Sequence, residues 1–162
     1  MKLSQYFFKT LKDSPSEAEI KSHKLLLRGG FIRQLASGIF SELPLGKRVV
    51  TKIENIMRDE IDKIGGQELS MPIVHPSEIW KATGRWDQVG LELGRFEDRN
   101  KREMVLAMTH EEVVADLVKS EIKTYRQLPR LIYHIKSKWR DEARPRAGMI
   151  RTREFTMKDS YS

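Results

Sequence analysis

Arg140 and Glu142 stand two residues apart in a stretch of alternating character, and Arg151, Arg153 and Phe155 follow at the same interval in a second stretch. Residues two apart on an extended strand share a face. A guanidinium and a carboxylate therefore point the same way on one strand, and two arginines and an aromatic ring do so on the next. Guanidinium groups fork onto phosphate oxygens, and an aromatic ring stacks on a base. The set suits a nucleotide. A solvated sheet face with cross-strand ion pairs shows the same alternation, and on pattern alone that plainer reading is preferred.

A second group, Thr109-His110-Glu111-Glu112, has the S/T-x-x-E form of a capping box ahead of Val113 and Val114. Thr109 is then the N-cap and Glu112 its partner, which leaves Glu111 without a structural duty. The histidines His23, His75, His110 and His134 lie far apart and show no metal-ligand spacing. Each reads as a satisfied or exposed histidine, and no protein-bound metal is expected. Lys119 and Lys123 have no constellation around them and read as a solvated face.

The elements that must position these groups follow from periodicity and punctuation. Ser16 can cap a helix that runs toward Arg28 and ends at Gly29-Gly30. Gly38 to Pro44 is extended, and Val49, Val50, Ile53, Ile56, Met57, Ile61 and Ile64 then mark a long amphipathic helix stopped by Gly65-Gly66. Gln67 to Val74 reads as a strand that Pro72 weakens, Ser77 to Ala82 as a short helix, and Glu103 to Met108 as a buried strand. A helix reaches Glu121. Two strands close the chain, Arg130 to Glu142 and Ile150 to about Asp159, joined by a loop too long for a tight hairpin. On the first, Leu131, Tyr133, Ile135 and Trp139 take one face, and Ile132, His134, Lys136, Lys138, Arg140 and Glu142 the other. Helices alternating with mainly antiparallel strands make the fold class α+β.

The 162 residues suffice for a core, and 39% hydrophobic with 33% charged residues suits a globular domain. With no cysteine, a disulfide framework, a thiolate zinc site and a cysteine nucleophile are excluded. The amino-terminal apolar patch around Tyr6, Phe7 and Phe8 is too short for a secretory signal, and no apolar run approaches membrane-spanning length. A soluble, cytoplasmic protein is expected. The net charge of +7 permits a polyanionic partner, and the basic excess is concentrated between Lys136 and Lys158.

The spacing of the closing strands changes the preference. Lys138-Trp139-Arg140-Asp141-Glu142, a basic loop, then Arg151-Thr152-Arg153-Glu154-Phe155 resembles motif 2 of class II aminoacyl-tRNA synthetases, with the form aromatic-Arg-x-Glu, loop, Arg-x-x-x-Phe. Trp139 through Tyr161, with Arg144-Pro145-Arg146 and Met157-Lys158-Asp159-Ser160-Tyr161, resembles the bacterial-type prolyl-tRNA synthetases in particular. Motif 2 spans about residues 138–158. Gly38 to Pro44 with the following helix, about 38–72, resembles motif 1, which lies at the dimer interface in this class. Thr109-His110-Glu111 resembles the Thr-x-Glu loop that holds proline, although Met108 stands where a proline is expected.

The resemblance implies part of a class II catalytic domain, with L-proline, ATP with Mg2+ and the proline tRNA as substrates, and a homodimer formed through the motif 1 region. It implies that Arg140 contacts the α-phosphate and the proline carboxylate, that Glu142 orients the nucleotide and its cations, that Arg151 reaches the terminal phosphate and that Phe155 stacks on adenine. It implies too that Thr109 and Glu111 bind proline and that Arg144 and Arg146 contact the tRNA acceptor end. Motif 3, the editing insertion and the anticodon-binding domain have no counterpart here, so the chain is expected to be an N-terminal part of the enzyme and inactive alone. Two other readings stay open: a non-catalytic basic RNA- or partner-binding paralogue, and a sister class II synthetase such as the threonyl or seryl enzyme.

Overall fold

A computed structural model describes residues 2–162. The chain divides into two compact units, one made of the chain up to Met57 with Glu142–Glu154, the other of Arg58–Asp141 with Phe155–Ser162.

In the first unit, helix α1 (Lys21–Arg28) ends on Gly29 and on Gly30 at φ +70, a left-handed conformation that glycine adopts at no steric cost. The helix starts later than the capping position of Ser16 predicts. Ala18 is instead buried in the core with Leu27 and Ile32, and Ile20 is extended, so the chain enters α1 without a side-chain cap. Strands β1 (Ile32–Ala36) and β2 (Ile39–Glu42) form an antiparallel hairpin with an irregularity between Gln34 and Ala36. Gly38 turns it at φ +74, and a Cβ there would stand 2.6 Å from the Pro145 side chain. Pro44 opens helix α2 (Pro44–Lys63), where its missing N–H costs nothing. Along α2, Val49, Ile53, Ile56 and Met57 form an exposed apolar stripe at helical spacing. No helix among the described residues is long and apolar enough to cross a membrane.

The second unit holds two three-stranded sheets. In one the order is β3 (Gln67–Glu68), β7 (Ile132–Trp139), β8 (Glu154–Tyr161), with β3 and β7 parallel. In the other, β6 (Glu103–Leu106) lies between β4 (Val74–Pro76) and β5 (Arg95–Glu97) and is antiparallel to both. The strand expected over 67–74 is thus split in two. Pro72 has no N–H for a ladder, and its carbonyl serves side chains instead. Helix α3 (Ser77–Ala82) has the predicted bounds, and the short α4 (Arg85–Gln88) follows it. Trp80, Leu93 and Val105 form the core there, with Ile79, Trp86, Val89 and Met108 packed around them. The last helix, α5, is Glu111–Glu121.

Two expectations are corrected. The capping box does not form. The N-cap of α5 is His110, without a side-chain bond, while the Thr109 hydroxyl donates to Glu111 and Glu112 pairs with Arg85. Nor is the charged face of β7 solvated. Tyr133 is buried on one face, and His134 and Lys138 are fully buried on the other.

Candidate functional site

Strand β7 ends at Trp139, whose N–H donates to the Ala107 carbonyl at 2.8 Å. That bond seats Arg140 beside the segment leading into α5. The Arg140 guanidinium lies over the Phe155 ring, 5.2 Å from its centroid, and approaches the Met108 carbonyl at 3.4 Å through Nε and Nη2. Aromatic and guanidinium faces attract electrostatically. Arg140 and Phe155 are both half-buried, so each keeps a surface for a ligand.

Next along the segment stand Thr109 and Glu111. Burial works to raise the Glu111 carboxyl, but the Thr109 hydroxyl, its own backbone N–H and the Arg85 guanidinium outweigh it and hold the group below the ordinary carboxylate value. Arg85 Nη1 lies 3.7 Å from Glu111 and 2.6 Å from Glu112. An ionised carboxylate is thus presented at the first turn of α5, where the helix dipole also favours negative charge.

The remaining predicted residues lie in the first unit. Glu142 accepts from the Arg144 backbone N–H at 2.9 Å and from Arg151 Nε at 2.7 Å, and both bonds hold its carboxyl low. Arg153 Nε donates to the Glu142 carbonyl at 3.0 Å. Arg146 and Arg151 face each other in a bridge that closes the loop, and both are exposed, as is Arg144. The structure therefore joins Arg140 with Phe155, Thr109 with Glu111, and Glu142 with Arg151. β8 begins only at Glu154 because Gly148–Ile150 form a short helical turn.

Sequence reasoning missed what lies behind the Thr109–Glu111 segment. His75, His110 and His134 stack edge to face, with ring centroids 4.8 Å and 4.4 Å apart. Lys138 reaches into them, its ammonium 2.6 Å from Asp159 and 3.0 Å from His134 Nε2, and bonded to His110 Nδ1. His110, His134 and Asp159 bring donor atoms within 4.8 Å of one another, as a metal ion would require, and the Lys138 ammonium bonds to all three. Burial lowers all three histidines, His110 to about 4, with the Lys138 charge next in effect on His110. The one sequence signal was His110 itself, placed between two residues already singled out.

Residues 95–162 match the family described as tRNA synthetase class II core domain (G, H, P, S and T). All 162 residues align at 56% identity with a proline–tRNA ligase of Aromatoleum aromaticum, at 57% with one of Acidithiobacillus ferrooxidans and at 54% with one of Thermotoga neapolitana. The chain spans 28% of the length of each of these relatives. Among solved structures it is similar to the prolyl-tRNA synthetase of Cryptosporidium parvum complexed with L-proline and AMP, at TM-score 0.73 and 19% identity over 84% of this chain and 27% of that one. It is also similar to the RNA binding domain of a threonyl-tRNA synthetase from the same organism, at TM-score 0.73 and 22% identity over 80% of this chain and 33% of that one.

Proposed function

We propose that this chain, a class II aminoacyl-tRNA synthetase sequence of the prolyl kind, supplies the amino-acid side and part of the nucleotide side of a proline adenylation site. The observation that carries the reading is the placement of opposite charges around one short segment. Arg140 lies against the Met108 carbonyl, and the Glu111 carboxylate stands at the start of α5. A guanidinium and a carboxylate so placed complement a zwitterionic amino acid, one charge for each of its ends.

In this reading the proline carboxylate attacks the α-phosphorus of magnesium-bound ATP. A carbon–oxygen–phosphorus link forms, the bond to the bridging oxygen breaks, and pyrophosphate leaves. Arg140 holds the attacking carboxylate and the α-phosphate together and stabilises the charge that gathers between them. Glu111 and Thr109 hold the secondary ammonium. Phe155 stacks on adenine, Arg151 reaches the terminal phosphate, and Glu142 orients the nucleotide with its cations. A terminal ribose hydroxyl of the proline tRNA then attacks the prolyl carbonyl and gives up its proton, the link to the phosphate breaks and AMP leaves, with Arg144 and Arg146 beside the acceptor end. No protein nucleophile is needed, and the protein's part is positioning and charge stabilisation. The exposed stripe on α2 seats a second copy of the chain, and the protein works in the cytoplasm.

The test is proline-dependent exchange of pyrophosphate into ATP by this chain and by the full-length gene product. The full-length protein should exchange with proline and lose exchange on Arg140→Ala. Exchange driven only by another amino acid would replace the prolyl reading with that of a sister synthetase. Binding of tRNA without any exchange would point to a non-catalytic module.

A further inference from the structure

We propose that Lys138 is the positioning residue for the amino acid: it clamps His110 and thereby fixes the Thr109–Glu111 segment against the strand that leads into Arg140. The proposal rests on the adenylation reading and deepens it, since Lys138 itself touches no substrate.

An ammonium has three N–H bonds, and the buried Lys138 ammonium faces three groups: Asp159 Oδ2 at 2.6 Å, His110 Nδ1, and His134 Nε2 at 3.0 Å, a nitrogen that also lies 3.2 Å from Asp159 Oδ2. The Asp159 carboxylate supplies the counter-charge. His110 is held at its other nitrogen too, because Nε2–H donates to the Pro72 carbonyl at 2.9 Å. That bond assigns the tautomer and leaves the Nδ1 lone pair for the ammonium. The ring is gripped at both ends, and its backbone carries Thr109 on one side and Glu111 on the other. Both histidines must be neutral to accept, and burial keeps them so at neutral pH.

The clamp continues along the strand. Lys138 holds His110, the Trp139 N–H holds the Ala107 carbonyl at 2.8 Å, and Arg140 approaches the Met108 carbonyl at 3.4 Å. Three successive residues thus grip one four-residue segment. An apolar side chain of similar volume would fill the same space without desolvating a charge. What the ammonium adds is direction: it pins His110 at a single atom. Since Arg140 and Glu111 meet opposite ends of one small rigid molecule, the distance between their supports sets how well it fits.

The test uses the full-length protein and measures KM for proline and for ATP in pyrophosphate exchange. Asn places an oxygen near the position of the histidine Nδ1, whereas Gln reaches toward Nε2 and gives that acceptor up. Lys138→Met and His110→Gln should raise KM for proline roughly 10- to 100-fold, the range seen when a supporting partner of a ligand-binding group is lost. KM for ATP should stay near wild type, and His110→Asn should recover most of the loss. Equal behaviour of His110→Asn and His110→Gln overturns the proposal, as does a parallel rise in both KM values. If Lys138→Met does not fold, the His110 pair decides. If the wild type is silent with proline, the adenylation reading falls by itself. Hydrogen exchange over residues 107–112, faster in His110→Gln than in His110→Asn, then judges the clamp, and equal rates refute it.

Discussion

The Arg140 guanidinium rests on the Phe155 ring, 5.2 Å from the centroid, so the first residue beyond β7 is supported by the second residue of β8. The ring does for Arg140 what a hydrogen-bonding neighbour does elsewhere: it fixes the plane of the fork without using up its donors.

Replacing Phe155 by Leu keeps an apolar side chain but removes the π face. A stacked cation of this kind contributes about 0.5–2 kcal/mol, so kcat/KM for ATP in pyrophosphate exchange should fall about twofold to thirtyfold, and Phe155→Tyr should restore it. Wild-type kinetics in Phe155→Leu would mean that the ring neither supports Arg140 nor meets the nucleotide.

The Glu111 carboxyl titrates below its ordinary value because the Thr109 hydroxyl, the backbone and Arg85 together overcome burial. A depressed carboxylate keeps its anion above the shifted pKa and loses it as pH falls through that value, so proline binding should fail only on the acid side. Thr109→Val removes the hydroxyl bond. The Glu111 pKa then rises, and the acid limb of kcat/KM for proline moves to higher pH, with Thr109→Ser restoring it. A bond to an ionised group is worth about 1.5–3 kcal/mol, which corresponds to a shift of roughly one to two pH units. An unmoved limb would show that Glu111 does not carry the proline ammonium.

How much was legible in the sequence depended on whether a signal was local. The bounds of α3 and the end of α2 at Gly65-Gly66 were readable, because short-range punctuation sets them. The α+β class was readable from the alternation of elements. The start of α1 was not: Ser16 offers a good cap, but burial of Ala18 outweighs it. The solvated face preferred on pattern alone fails at Lys138 for the same reason. Alternation shows which side chains share a face and says nothing of what covers it. Asp159, which makes the buried ammonium tolerable, comes from another strand far along the chain. The capping box was lost to Arg85, a partner no local pattern connects to Glu112.

The histidine cluster makes the second unit sensitive to acid. Burial is the main cause that lowers His75, His110 and His134. Unfolded, these rings take up protons near the ordinary histidine value of 6.5, while folded His110 waits until about 4. Between those values the unfolded chain binds more protons, so stability rises with pH and is lost as pH falls from about 6.5 toward 4. Asp159, also lowered, adds a loss in the same direction at still lower pH. Hydrogen exchange along β7, corrected for intrinsic rates, should show protection falling across this window. His134→Gln retains an acceptor for Lys138 but does not titrate, so it should flatten the profile. A profile no flatter than wild type would remove His134 from the account.

Arg85 and Glu112 form an asymmetric pair. The Glu112 side chain is 1% exposed and that of Arg85 33%, at 2.6 Å. Glu112 Oε2 has no hydrogen-bond partner, so Arg85 carries the compensation of a buried carboxylate. Removing the arginine strands that charge, whereas removing the carboxylate leaves an arginine that water can reach and that still packs on the Trp80 ring. Arg85→Met should therefore cost about 3–5 kcal/mol, read as a roughly 10²- to 10⁴-fold loss of amide protection in α5. Glu112→Leu should cost less, and the double variant should recover most of the protection, because a buried pair replaced whole by apolar groups is often neutral. Arg85 also lowers the Glu111 carboxyl, so the acid limb for proline should move up in both variants that lack Arg85, even where protection returns. That separates its two duties: protection follows the stranded charge on Glu112, and the acid limb follows the guanidinium beside Glu111. A Glu112→Leu protein as damaged as Arg85→Met would instead locate the cost in lost packing.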